Sequence, residues 1–282
     1  MSEAPRLPVP TWFIGCGNMG QAIIAGWRSS GIDLSNAVVI RPSATPVEGV
    51  RTVPTPKDAG SPPKLVVLAF KPQKLDAIAP QLRTFLTAQT VVISILAGVE
   101  AMSLRQRFPG VAAVVRAMPN LPVSIRRGVI ALYSDDADDR VARQVADIMA
   151  PLGFAPWMTD ETKFAAVGSV AGAGPAYVAR FIAALTKAGE RRGLSAEIAS
   201  TIALETVLGT AWMAAANKES MEAIAKRVAS PKGTTEAGLA VIDRDGALDD
   251  LIAATIDAAG RRGAELAAES KSPSLAESAR LS

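Results

Sequence analysis

The chain has 282 residues, 49% of them hydrophobic, with net charge +3, one cysteine and no histidine. That length suits two domains with a real core, and so slight a charge without a basic run argues against nucleic acid as a partner. One cysteine excludes a disulfide framework, and without histidine neither the commonest general acid nor the commonest metal ligand is present, so no metal is expected.

Met1–Pro10 lacks the blocks of a signal peptide. The longest charge-free apolar run, Phe164–Ala179, is too short to span a bilayer and is broken by Gly172, Gly174 and Pro175. These features predict a soluble cytoplasmic protein with no membrane partner.

The first element is the apolar run Trp12–Ile14, which leads through Gly15-Cys16-Gly17-Asn18-Met19-Gly20 into the helix-like Gln21–Trp27. Strand, glycine turn and helix together make a G-x-G-x-x-G match a dinucleotide-binding candidate. Gly15 permits the tight turn, Gly17 leaves room for a pyrophosphate, and Gly20 lets helix and strand pack closely. The helix N-terminus offers free N–H groups to the phosphates, so Ile14, Asn18 and Met19 are expected beside the cofactor. A helix start should also lower the Cys16 pKa, though packing is its expected role, and alkylating it should block cofactor binding.

Further β-rich runs follow at 37–40, 65–70, 91–96, 111–116 and 129–133, mostly continuous apolar strings. Parallel strands covered on both faces read this way, and the expected fold is α/β, a Rossmann-type doubly wound sheet. Six prolines between Arg41 and Pro63 predict mostly loop there. The second strand ends at Arg41-Pro42-Ser43, without the acid that grips the ribose of NAD. Arg41 and Ser43 can instead meet a 2′-phosphate, which favours NADP(H) over NAD(H). Lys71 follows the third long run at the edge where such sheets bind ligands, and the small pair Ala97-Gly98 lets a nicotinamide ring approach the main chain.

Asp138–Ala150 predicts an amphipathic helix, and Pro151, Gly153 and Pro156 mark a boundary. The expected domains are 1–158 and an all-helical 159–270, followed by a flexible polar tail over 271–282. Helices are expected over Pro175–Arg191, Ala196–Asn217, Ser220–Val228 and Leu248–Ala268. Ala196–Asn217 is apolar on nearly every face, so a second subunit is its expected cover.

Five segments in order resemble the pyrroline-5-carboxylate reductase family. They are Gly15–Gly20, Ala69-Phe70-Lys71-Pro72-Gln73, Val115-Arg116-Ala117-Met118-Pro119-Asn120, Gly172-Ala173-Gly174-Pro175-Ala176-Tyr177 and Ser230-Pro231-Lys232-Gly233-Thr234-Thr235. The resemblance implies a helical dimerisation domain after the sheet, homo-oligomers that complete each other's sites, and NADPH-dependent reduction of 1-pyrroline-5-carboxylate to proline. It brings Ala69, Pro72 and Asn120 into the cofactor site. It gives the substrate carboxylate to the loop with Ser230, Gly233 and Thr234, the ring nitrogen to Thr235, and a place near the substrate to Glu161. Gly233-Thr234-Thr235 also precedes a helical stretch, Glu236–Ile242, whose start is a main-chain anion site in its own right. A protonated imine is already electrophilic, so Thr235 need only accept a hydrogen bond or relay a proton.

The chain departs from the family pattern at Ala173, where serine is usual, at Lys232, where glycine is usual, and at Ala165 and Gly168. A reductase of a different cyclic imine therefore stays open. A β-hydroxyacid dehydrogenase-like enzyme fits less well, because the helix after Gly174 offers Tyr177 and Arg180 but no lysine before Lys187.

Overall fold

The computed structural model describes residues 6–271. The chain forms two compact units, one taking the residues up to Ala173 and those from Ala259 onward, the other Gly174–Ala258.

Among the described residues the first unit holds eight strands: β1 (Thr11–Ile14), β2 (Ala37–Ile40), β3 (Arg51–Val53), β4 (Leu65–Leu68), β5 (Val91–Ser94), β6 (Ala113–Pro119), β7 (Gly128–Tyr133) and β8 (Gly153–Phe154). They lie in the order β3-β2-β1-β4-β5-β6-β7-β8. The pairs from β3 to β6 are parallel, whereas β7 runs antiparallel to β6. Continuous apolar strings carry no mark of strand direction, so the reversal at β7 was not visible in the sequence. Nor was β3, where three residues fit between prolines and only Val53 is buried.

Why the strands read as unbroken apolar runs is plain from their two covered faces. Phe13, Val39, Val67, Ile93 and Val115 point toward α1 (Asn18–Ser29) and α4 (Asp139–Met149), where Trp27 and Ile148 are buried. Their neighbours Trp12, Val38, Val66, Val92 and Val114 point the other way, onto α2 (Leu75–Arg83) and α3 (Ala101–Arg107). The Trp27 indole N–H donates to the Ile148 carbonyl at 2.6 Å and ties the two helices of one face together. The Asp138 carboxylate accepts from the Val141 N–H at 2.7 Å and caps α4, just outside the helix whose first residue it was expected to be. Helix α5 (Glu161–Val167), capped by Asp160, runs into a single π-turn over Gly168–Gly172.

The second unit contains α6 (Gly174–Arg191), α7 (Ala196–Asn217), α8 (Met221–Val228), α9 (Thr234–Ile242) and the first turns of α10 (Ala247–Lys271). Helices α6 and α7 form a hairpin, with Gly193 at φ +93° and the Ser195 hydroxyl accepting from the Ile198 N–H at 3.3 Å. Helix α7 buries its small residues Ala199, Ala203 and Ala214. Its large ones, Ile198, Ile202, Leu204, Leu208 and Trp212, are exposed. By length and composition alone α7 could also cross a membrane. Of the tail expected over 271–282, Lys271 is the last residue of α10 as described and residues 272–282 lie outside the described residues.

Gly26 on α1 shows how closely the first unit packs. A Cβ there would overlap the Val123 carbonyl oxygen and lie 2.6 Å from Leu152 Cδ2. Alanine is favoured over glycine in a helix by about 1 kcal/mol, but a main-chain oxygen cannot step aside. Gly26→Ala is expected to lower unfolding stability by about 1–3 kcal/mol in a denaturant titration, because overpacking outweighs propensity.

Candidate active site

Strands β1, β2 and β4 end level, with Ile14 opposite both Ile40 and Leu68. The ladder then runs one residue further: Gly15 N–H donates to the Ile40 carbonyl at 2.8 Å, Ala69 to Ile14 at 2.9 Å and Ile95 to Leu68 at 3.1 Å. Four loops therefore leave the sheet at one edge, around the β1–β4 junction where strand order reverses, which is the ligand-binding edge of such sheets. They wall a cavity of about 1110 Å³.

Gly15 has φ +74°, and a Cβ there would lie 2.8 Å from the Ala69 carbonyl oxygen, so the turn accepts only glycine. Around Gly17 the space a Cβ would fill is open. Gly17 caps α1 without any side-chain bond, and the first turn of α1 carries no acid. Unspent N–H groups with positive partial charge thus face an uncrowded cavity, which fits a pyrophosphate.

Ile14, Gly15, Gly17, Asn18, Met19 and Gly20 form one wall of this cavity. Arg41, Ala69, Lys71, Pro72 and Ala97 also line it. Ser43, Gly98 and Asn120 are not among the lining residues. Ser43 is exposed, and its hydroxyl oxygen accepts from the Thr45 hydroxyl at 2.9 Å. Asn120 is buried with its amide committed, Nδ2 donating to Ala171 at 3.0 Å and Oδ1 accepting from Val129 N–H at 2.9 Å. It fastens the start of β7 to the π-turn. Thr55 and Pro56 beyond β3, and Lys74, Ile78 and Gln81 near or on α2, line the cavity too. Neither β3 nor α2 was legible, so these residues escaped the sequence reading.

Arg41 is a strut as well as a charge. Its guanidinium donates to the Cys16 carbonyl at 3.1 Å and to the Thr45 carbonyl at 2.8 Å, tying the glycine turn to the loop after β2. Cys16 itself overturns the expectation of a lowered pKa. Burial pushes its thiol up to about 11, and the nearby Arg41 charge opposes this only partly. Desolvation of a thiolate outweighs the helix-start field here.

Glu161 sits at the start of α5 with both carboxylate oxygens taken. Oε1 accepts from the Ala101 N–H at 2.9 Å, the first residue of α3, and Oε2 pairs with Arg116 on β6. The Arg116 guanidinium is buried and lies 4.2 Å over the Phe164 ring. Burial pulls its pKa down while Glu161 holds it up. Arg116 is the buried member and Glu161 the partly exposed one, so removing Glu161 alone would leave a buried charge without its partner.

In the second unit, α9 begins at Thr234, two residues before the expected start at Glu236, with Gly233 as its N-cap and no side-chain capping bond. The Gly233 N–H donates to the Ser230 carbonyl at 2.9 Å, and the Lys232 N–H donates to the Glu236 carboxylate at 2.6 Å. Those two amides are spent, which leaves the first-turn N–H groups of α9, those of Thr234 and Thr235 among them, without intrahelical acceptors. Lys232 takes φ +61°, the left-handed region where glycine is unstrained.

A glycine turn feeding an uncapped helix start, at the reversal point of a doubly wound sheet, defines a dinucleotide-binding protein. Residues 12–98 match the family model "NADP oxidoreductase coenzyme F420-dependent", and 161–266 match "Pyrroline-5-carboxylate reductase dimerisation". A pyrroline-5-carboxylate reductase of Pseudomonas aeruginosa is 35% identical over 262 residues, spanning 90% of this chain and 96% of that one. A solved pyrroline-5-carboxylate reductase structure from Coxiella burnetii superposes with TM-score 0.84 at 30% identity, covering 92% of this chain and 99% of its own. One from Plasmodium falciparum with NADP bound gives TM-score 0.82 at 22% identity, covering 92% and 98%, and speaks for the fold. The chain belongs to the pyrroline-5-carboxylate reductase family and is an NADP(H)-dependent oxidoreductase.

The Cys16 environment has a measurable consequence. The thiol titrates near 9.0 in an unfolded chain and about 11 when folded. As pH rises the unfolded state loses its proton first, so this contribution is intact below pH 9.0 and stability falls from there toward about 11. Iodoacetamide at pH 8 is expected to label Cys16 only after denaturation, as read by intact mass, and a Cys16→Ser variant should lose the alkaline step.

Proposed function

We propose that this protein reduces the C=N bond of 1-pyrroline-5-carboxylate to give L-proline, with NADPH as the reductant. The observation that carries this is the likeness to curated reductases along nearly the whole chain, from the glycine turn to the anion-ready start of α9. The proposed division of labour is a cofactor domain over 1–158 and a substrate and dimerisation domain over 159–270. The exposed apolar side chains of α6 and α7 are proposed to be covered in a homo-oligomer, and the cytosol is the proposed compartment.

The glycine turn and the start of α1 hold the pyrophosphate by main-chain N–H groups. Arg41 places positive charge beside the 2′-phosphate while bracing the loop that carries Ser43. The bound dinucleotide supplies the hydride. Thr234 and Thr235 offer amides to the substrate carboxylate, and the Thr235 hydroxyl accepts a hydrogen bond from the iminium N–H, keeping the ring carbon exposed to attack. Glu161 acts from behind, since both its oxygens are already bonded. No strong acid is required, because the protonated imine brings its own proton, and a chain without histidine can do this chemistry.

The test is NADPH oxidation followed by absorbance with pyrroline-5-carboxylate, then with six-membered and sulfur-containing cyclic imines. Fastest turnover on pyrroline-5-carboxylate is expected, and a stronger preference for another ring would refute the assignment. Thr235→Ala should lower kcat/KM by about tenfold to a hundredfold, the scale of one hydrogen bond to a charged group. Arg41→Ala should shrink the NADPH-over-NADH preference, and an unchanged ratio would place 2′-phosphate recognition elsewhere.

A further inference from the structure

Ala97 lines the dinucleotide cavity, whereas its neighbour Gly98 faces away from it, into the end of α10. Gly98 has φ +73°, and a Cβ there would lie 3.0 Å from the Leu266 carbonyl carbon, 3.1 Å from its oxygen and 3.2 Å from the Ala267 nitrogen. All three are main-chain atoms, so the turn after β5 is pressed against the α10 backbone with no side chain to yield. Earlier on the same helix, a Cβ on Gly260 would lie 3.4 Å from the Ser169 hydroxyl of the π-turn. The turn is gripped a second time at its far end, where the Ala101 N–H donates to Glu161 and Glu161 pairs with the buried Arg116. All these residues belong to the first unit.

A dinucleotide on this edge lies with its adenosine half toward the loop after β2 and its nicotinamide half on the side of β4 and β5. Resting on the proposed use of NADPH, we infer that the last turns of α10 position the nicotinamide half of the cofactor by holding the Ala97–Gly98 turn in place. Gly98 and the Leu266–Ala267 main chain are the contact, and they are positioning elements that touch no reacting atom. Glu161 and Arg116 brace the same turn from α5 and β6. The helix that closes the described chain is thereby part of the cofactor site, though it lies far from the glycine motif in sequence.

Gly98→Ala is the direct test, with Gly60→Ala as its control. Gly60 also has positive φ, at +102°, further from the left-handed well than Gly98, but has open space around it, so it carries a backbone penalty without the collision. In Gly98→Ala, NADPH affinity by fluorescence titration and kcat should each fall about tenfold, the scale of a sub-ångström misplacement. The affinity for 2′,5′-ADP, which occupies only the adenosine half, should stay at the wild-type value, and Gly60→Ala should alter neither. Parallel loss of NADPH and 2′,5′-ADP, or no difference between the two variants, would overturn the inference.

Hydrogen exchange on the wild-type protein tests the same link without any substitution. NADPH should slow exchange of the amides around 264–269 and 2′,5′-ADP should not, whereas equal protection by both ligands, or by neither, would overturn it. Wild-type protein that binds no NADPH would overturn the functional reading and this inference together. Tight NADPH binding with an indifferent α10 would remove the inference alone.

Discussion

The level ending of β1, β2 and β4 is the constraint on which the rest of the molecule depends. Parallel pairing in register sets Ile14, Ile40 and Leu68 side by side, and the next residue of each strand still bonds its neighbour. Every loop with a proposed cofactor role leaves from that line. A one-residue slip would exchange the two faces of a strand, pushing Phe13 out of the α1–α4 core and Trp12 into it. Two buried faces therefore enforce the register, and the register builds the cavity. Fold stability and site geometry share one cause.

Around that edge, charge is handled by committing it rather than by leaving it free. Arg41 bonds main-chain carbonyls of two loops, and Glu161 divides its carboxylate between Arg116 and the start of α3. Polar groups fixed in this way hold their geometry before a ligand arrives, which lowers the ordering cost of binding. What stays unspent is main chain: the first turns of α1 and α9 each lack a side-chain cap. Both are suited to anions. A chain with no histidine can rely on such dipoles because the reaction asks for placement more than for proton transfer.

The second unit reverses the usual economy of a helix. Within it α7 buries alanines and leaves isoleucine, leucine and tryptophan exposed. Small residues let α6 and α7 approach closely, and Gly189 lies close against Ala199 in that hairpin. The large side chains are left for another surface, and the dimerisation model matching 161–266 agrees with that arrangement.

The linear order of residues alone determined the glycine turn, the two-faced sheet, the existence of α4 and the length of α7. Each depends on neighbours a few positions apart and on strong local preferences. Only the tertiary structure decided the direction of β7, the existence of β3, the burial of Cys16 and the commitments of Asn120 and Glu161. Thiol burial, for instance, depends on what the rest of the fold lays over the turn, and no pattern around Cys16 records it. Gly98 makes the same point: its spacing after β5 suggested a ring contact, yet α10, some 170 residues further on, occupies that side of it. Contacts between distant stretches arise from packing and leave no periodic signature in either stretch.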